Sequence, residues 1–207
     1  MANINRPKGL SPVQNVDGSP WSQGSTLFYV ANDASNSYAI GDIVQLTSGS
    51  DASGIPAVTK WGGTVAAATL PVGVIVGIRV ADPGVSLVGN SLALEKTYLP
   101  VNSGPHYLYV VTDPATVFEI QGDSTAWATT NANQNCNVTI TANQTTLGNG
   151  APYSNTVATA PASTNSLPLQ IQGIIQRADN AYGAYAALLV RFNVHAFIGA
   201  ATGRTGV

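Results

Sequence analysis

The side chains that most often carry out chemistry are scarce in this chain and widely separated. There are two histidines, His106 and His195, and one cysteine, Cys136. Metal sites normally combine several His, Cys or carboxylate ligands at characteristic spacing, and the sequence contains no such grouping. A nucleophilic cysteine needs a histidine or a cation nearby, whereas Cys136 is flanked by asparagines. We therefore expect two hydrogen-bonded histidines at strand ends and one buried, unpaired thiol.

The carboxylates and serines also lack a catalytic context. Most aspartates stand beside Gly, Pro, Ser or Asn, which is typical of turns. Glu119 lies between two apolar residues and is expected to point away from them. No serine occupies a nucleophile elbow, and no Gly-rich loop has the lysine of a phosphate-binding loop. A carboxylate pair that meets only in the folded chain stays open as a weaker alternative. We predict no catalytic residue, no metal and no cofactor.

Charge is sparse over the whole chain. Only 9% of the 207 residues are charged, where ordinary domains have roughly 25%, and the formal net charge is −2. The eight basic residues are spread from Arg6 to Arg204 without a cluster, which disfavours binding to nucleic acid. No signal-peptide core and no run of about 20 apolar residues is present, so we expect an unexported protein without a membrane partner. This composition suits a packed structural part better than an enzyme.

The pattern of short apolar runs predicts an all-β fold. The runs are rich in β-branched and aromatic residues, and clusters of Gly, Pro, Asn, Asp and Ser separate them. The predicted strands are residues 26–31, 43–47, 72–80, 107–112, 117–121, 138–141, 169–176 and 187–194. The strands at 107–112 and 117–121 flank a Pro-containing tight turn, so we expect them to form a hairpin.

The chain divides into three parts by composition. We predict an N-terminal arm at residues 1–20, a single β domain at 21–198 and a flexible C-terminal tail at 199–207. Within the domain, residues 131–166 are poor in charge and dense in Asn, Thr, Ala and Ser. This segment is either a surface excursion that orders only against a neighbour or an ordinary hairpin with polar edges.

Three tryptophans stand in polar or Gly-containing settings. They are Trp21, Trp61 and Trp127. A loop tryptophan buries a large area and keeps one hydrogen-bond donor, which suits protein interfaces. The same residue type also serves as a lid over a barrel end or as a platform for a sugar. The sequence leaves these three uses open.

Several stretches, taken in their order along the chain, resemble one group of proteins. They are MANINRPKGL at residues 1–10, YAIGDIV at 38–44, PVGVIVG at 71–77, DPATVFEIQ at 113–121, LPLQI at 167–171, DNAYG at 179–183 and LVRFNVH at 189–195. Together they resemble the capsid cement, or decoration, proteins of tailed bacteriophages. Thr112 stands where an aspartate is common in that group. The stretches span most of the chain, and residues 131–166 match least.

The resemblance implies a jelly-roll-like β-barrel or sandwich with extended N- and C-terminal arms. Such a protein is made in the host bacterial cytoplasm, binds the outer surface of the phage head, and cements neighbouring major capsid proteins as a dimer or trimer. Its partners are the major capsid protein and copies of itself. The interface candidates are Arg6, Lys8, Trp21, Trp61 and Trp127. The alternative function is a carbohydrate-binding or adhesin-type β module of a virion, which would use exposed tryptophans.

Overall fold

The computed structural model describes residues 3–79, 96–144, 153–198, 203, 205 and 206. This part of the chain contains thirteen β-strands and no α-helix. Two single 3-10 turns, Thr129–Asn131 and Ala196–Ile198, complete its regular structure. Within these ranges, no helix has the length and apolar character needed to cross a membrane. The predicted all-β class is confirmed.

The strands form three sheets. A closed barrel has the order β2-β5-β4-β6-β8, a six-stranded sheet has the order β1-β9-β13-β12-β10-β11, and β3 pairs with β7. The bounds are β1 (Ser11–Asn15), β2 (Thr26–Val30), β3 (Tyr38–Ala39), β4 (Ile43–Ser50), β5 (Pro56–Lys60), β6 (Pro71–Ile78), β7 (Tyr98–Leu99), β8 (His106–Val111), β9 (Thr116–Gln121), β10 (Asn135–Thr139), β11 (Val157–Ala162), β12 (Leu169–Ile174) and β13 (Ala187–Phe192).

Neighbouring residues of the barrel strands face two different cores. Val44 and Ile75 belong to the apolar cluster inside the barrel. Ile43 and Val74, one position earlier in each strand, belong to the cluster between the barrel and the six-stranded sheet. Side chains alternate across a strand, so a strand covered on both faces reads as a continuous apolar run. At residues 71–78, one face of the strand lines the barrel interior and the other packs against the six-stranded sheet. This explains why the run has no polar side chain.

The predicted hairpin between the strands at 107–112 and 117–121 is wrong. β8 pairs with β2 and β6 in the barrel, whereas β9 pairs with β1 and β13 in the six-stranded sheet. The tight turn itself is present, since the Asp113 carboxylate accepts a hydrogen bond from the amide of Ala115 at 2.8 Å. Turn chemistry fixes a local reversal of the chain but not the strand partners. β8 and β9 do not pair because β8 is part of the barrel and β9 is part of the six-stranded sheet.

The segment at 131–166 and the C-terminal tail both contain ordered pairings. β10 and β11 pair antiparallel, which corresponds to the hairpin of the two alternatives left open by the sequence. In the predicted tail, the amide of Gly203 donates to the carbonyl of Asn165 at 2.9 Å, and that of Gly206 donates to the carbonyl of Ser163 at 3.0 Å. The described tail residues thus lie against the end of the β11 strand.

Candidate functional site at the N-terminal segment

The structure divides the five interface candidates into two groups. Arg6, Lys8 and Trp21 lie along residues 3–21, which we call the N-terminal segment. Trp61 has no exposed surface and Trp127 is 2% exposed, and both belong to the core between barrel and sheet. Their place among the interface candidates is therefore corrected, because neither ring presents a surface to a partner. Their burial excludes two of the three open uses, the protein interface and the sugar platform.

Close contacts with backbone atoms allow the two buried tryptophans to lie in the core although their flanking residues are typical of loops. The indole nitrogen of Trp61 donates to the carbonyl of Thr69 at 2.6 Å, which satisfies its one donor inside the protein. The indole of Trp127 lies directly on Gly122, where a Cβ would overlap the ring. Small neighbours and an internal acceptor let large rings fill the interior from loops.

The N-terminal segment is fastened to the body by hydrogen bonds at its start. The side chain of Asn3 donates to the carbonyls of Ala181 and Ala184 at 2.8 and 2.9 Å and accepts from the amide of Ala181 at 3.1 Å. The amide of Arg6 donates to Oε1 of Gln121, on β9, at 2.7 Å. The segment thus follows the surface of the six-stranded sheet before its own strand begins.

A charged cluster joins the same segment to β9. Nζ of Lys8 lies 2.9 Å from Oε2 of Glu119, and Nη1 of Arg177 lies 2.9 Å from Oε1 of the same carboxylate. Arg177 also faces Asp179 at 3.5 Å. Glu119 points away from its apolar neighbours, as the alternation predicted, and one cation neutralises each of its oxygens. We call Lys8, Glu119 and Arg177 the surface cluster.

A tight backbone crossing anchors the segment where it reaches the core. Leu10 is buried between barrel and sheet, and its amide donates to the carbonyl of Gly41 at 3.0 Å. Gly9 has φ +70°, and a Cβ there would lie 2.5 Å from the carbonyl oxygen of Gly41. Only glycine combines this conformation with this approach. The crossing places Lys8 beside Glu119 on one side and Leu10 in the core on the other.

A cleft of about 290 Å³ lies between the N-terminal segment and the sheet. Arg6, Lys8 and Arg177 supply positive charge along its walls, and Glu119 and Asp179 supply negative charge. Among the described residues, the guanidinium of Arg6 has no salt-bridge partner. The cleft can therefore take a carboxylate at its exposed end, although its remaining charges are matched internally.

A second charged cluster is sealed inside the protein. Lys60 Nζ lies 2.9 Å from Asp42 Oδ2, and both side chains are 1% exposed. Asp42 also accepts hydrogen bonds from the amide of Ala39, from Nε2 of Gln144 and from Oγ of Ser154. We call Asp42, Lys60, Gln144 and Ser154 the buried cluster.

The buried cluster ties the loop after β10 to the barrel. Lys60, on β5, donates to the carbonyls of Thr141 and Ala142 at 2.7 and 3.4 Å. The amide of Gln144 donates to Oγ of Ser37 at 2.8 Å. An aspartate, a lysine and a serine in contact are residue types that hydrolases use, but these lie where no substrate can reach them. Their chemistry is to hold two parts of the chain together.

The remaining candidates for chemistry are held internally. Burial raises the pKa of the Cys136 thiol to about 12, so it stays protonated, and the predicted buried thiol is confirmed. Nε2 of His106 lies 2.7 Å from Nζ of Lys96, at the start of β8. Nδ1 of His195 accepts the amide of Phe197 at 3.2 Å, and burial lowers the pKa of His195 although the Val72 carbonyl acts in the opposite direction. His106 is the first residue of β8, as predicted, whereas His195 lies three residues beyond the end of β13.

The sequence pattern missed the partners of Lys8 and the whole buried cluster. Asp42 stands in the stretch AIGDIV, where its neighbours suggested turn chemistry. The available signal was a polar residue inside an otherwise apolar run, since such a residue is buried with its neighbours and needs partners. Nothing in the spacing identified Gln144, 102 residues along the chain, as one of those partners.

We compared the chain with known protein families and with curated proteins. No family model matches the chain, and no curated protein matches it.

Proposed function

We propose that this chain is a structural protein of a bacteriophage virion that binds the outer surface of the head and cements neighbouring major capsid proteins. The observation that carries the proposal is the meeting of the cement-like stretches in space. Lys8, from residues 1–10, pairs with Glu119, from residues 113–121. Gly9 crosses Gly41, from residues 38–44. Three of the seven resembling stretches are therefore in direct contact in the folded chain.

The surface also suits a protein that acts by adhesion. Large apolar side chains are exposed at Ile4, Phe197 and Ile198, where they are 65%, 58% and 55% accessible. Burial of apolar surface contributes roughly 25 cal/mol per Å². A contact repeated over a symmetrical shell adds avidity to each modest interface. A rigid barrel backed by a sheet provides the firm support that such contacts need.

Co-sedimentation with phage heads tests the proposal. Purified chain is added to heads from a phage that lacks the gene. The number of bound copies is then measured relative to the number of major capsid proteins. We expect saturable binding at a fixed copy ratio and a higher temperature of head disruption. Absence of binding under conditions where the chain is folded contradicts the function.

Two matched variants locate the contact. Arg6→Ala removes an exposed cation from the N-terminal segment, and Arg79→Ala removes an exposed cation from the barrel. We expect Arg6→Ala to weaken head binding severalfold and Arg79→Ala to leave it unchanged. Equal effects mean that the N-terminal segment is not part of the contact surface.

The carbohydrate-binding alternative has lost two of the three tryptophans on which it depended. Trp61 and Trp127 are buried, so neither can stack on a sugar in this conformation. Specific binding of the unmodified chain to a glycan array, without binding to heads, would favour that alternative over the cement function.

A further inference from the structure

The N-terminal segment makes backbone hydrogen bonds within itself. After β1, the chain turns back on itself, since the amide of Asn15 donates to the carbonyl of Ser19 at 2.8 Å. The amide of Trp21 then donates to the carbonyl of Val13 at 3.3 Å. Trp21 packs against the core between barrel and sheet. Residues 3–21 therefore dock together, through one set of contacts with the body.

A short strained link joins this unit to the barrel. Residues 22–25 are exposed and lie between Trp21 and the first residue of β2. Within the link, Gln23 has φ +65°, a left-handed conformation that is unfavourable for a residue with a side chain. A strained short hinge beside a dockable unit is the usual setting for exchange of an element between identical chains.

The edge position of β1 allows the unit to leave without breaking the sheet. Among the described strands, β1 pairs only with β9, so its removal uncovers one strand and interrupts no other ladder of this set. The groove that it leaves consists of β9, the carboxylate of Glu119 and the slot filled by Leu10. An identical unit from another copy satisfies all these groups with the same contacts.

We propose that the N-terminal segment exchanges between copies of this chain, so that residues 3–21 of one copy dock on β9 of its neighbour. The occupant of the β9 groove is then a second copy, joined through its hinge at 22–25. The driving force is relief of the left-handed conformation at Gln23 when the hinge extends. The proposal concerns the purified protein and does not depend on capsid binding.

The other route to pairing through the sheet is blocked. Its two outer strands are β1 and β11, and they contain Pro12 and Pro161. A register shift disturbs the pairing of each strand as well. Prolines and bulges at sheet edges prevent edge-to-edge pairing. Exchange of a whole strand makes a dimer without needing a free edge.

Cysteine pairs across the β1–β9 ladder distinguish exchange from docking within one chain. Asn15 lies opposite Thr116 in the register, so cysteines at these positions are close enough to form a disulfide. Asn15→Cys and Thr116→Cys are made in separate chains, mixed, incubated at high micromolar concentration and oxidised. Exchange gives a covalent heterodimer on a non-reducing gel. Docking confined to one chain gives none.

An out-of-register pair controls for chance collisions. Ser11 lies opposite Glu119, three residues from Thr116 along β9, so Ser11→Cys cannot reach Thr116→Cys in the native ladder. This mixture should give no more than a background level of heterodimer. An equal yield from both mixtures overturns the exchange proposal.

Two substitutions at the hinge move the equilibrium in opposite directions without any cysteine. Gln23→Gly accepts the left-handed conformation, so it favours docking within one chain and should lower the dimer fraction severalfold in sedimentation. Gln23→Pro cannot adopt that conformation, so it extends the hinge and should raise the dimer fraction severalfold. Identical sedimentation of the two folded variants and the unmodified chain contradicts the proposal, whatever the result of head binding.

Discussion

The two charged clusters hold similar ion pairs, but the lysine is buried in one and partly exposed in the other. In the buried cluster, Asp42 and Lys60 lie 2.9 Å apart and both are removed from water. In the surface cluster, Lys8 and Glu119 also lie 2.9 Å apart, and the Glu119 side chain is 9% exposed whereas the Lys8 side chain is 39% exposed. The distances are equal, so the difference between the clusters lies in solvent and in the number of additional hydrogen bonds.

The two clusters should therefore differ in how easily the chain segments that they hold can detach. When a buried charge loses its partner, no water can solvate it. Loss of either charge in the buried cluster is therefore strongly destabilising. A half-exposed lysine can exchange its partner for water at little cost. The buried cluster therefore fixes the loop after β10, whereas the surface cluster holds the N-terminal segment in a way that permits release.

The largest expected effect follows from breaking the buried pair. Lys60→Met leaves the Asp42 carboxylate buried without a cation, and we expect the free energy of unfolding to fall by about 3–5 kcal/mol. Chemical denaturation measures the change. The double variant Asp42→Asn with Lys60→Met removes both charges and should recover part of the loss. A loss below about 1 kcal/mol for Lys60→Met would place the pair in a wetter environment than the structure shows.

A smaller effect is expected at the glycine crossing beneath the surface cluster. Gly9→Ala combines a left-handed backbone with a collision against the carbonyl of Gly41, and we expect a loss of about 2–3 kcal/mol. Gly18→Ala is the matched control, since Gly18 has φ +85° but open space around its Cα. It should cost only about 1 kcal/mol. Equal losses would remove the close approach as a cause.

The smallest effect is expected for the surface pair itself. Lys8→Gln should lower the free energy of unfolding by only about 0.5 kcal/mol, because the Lys8 side chain is 39% exposed and Arg177 still pairs with the Glu119 carboxylate. The unmodified chain should lose a similar amount between low and high salt, and the variant less. A salt-independent loss of several kcal/mol would show that this pair behaves like the buried one.

Alternation and turn chemistry predicted the parts of the fold that depend on local sequence. Each of the eight predicted strands overlaps an observed one, because an apolar run bounded by turn residues determines a strand locally. Five observed strands were missed. β3 and β7 have only two residues each, and β1, β5 and β11 contain the prolines Pro12, Pro56 and Pro161. The separation of β8 from β9 was also missed, because strand partners depend on which core each strand covers.

The candidate site was predicted only in part for the same reason. Lys8 and Arg6 were identified from the N-terminal stretch, but their partners come from β9 and beyond. The buried cluster joins residues 102 and 112 positions apart, and such contacts have no local signature in one sequence. Trp61 and Trp127 were misplaced because their flanking Gly and polar residues indicate a loop without showing what the loop covers.

Native-state hydrogen exchange compares the two regions most directly. The Ser154 amide donates to the carbonyl of Ile40 at 2.9 Å beside the buried cluster, and the Leu10 amide donates to Gly41 at 3.0 Å in the N-terminal segment. We predict that Ser154 exchanges only through global unfolding, whereas Leu10 exchanges at least roughly tenfold faster, through release of the segment. Equal protection of the two amides would contradict a segment that opens separately from the core.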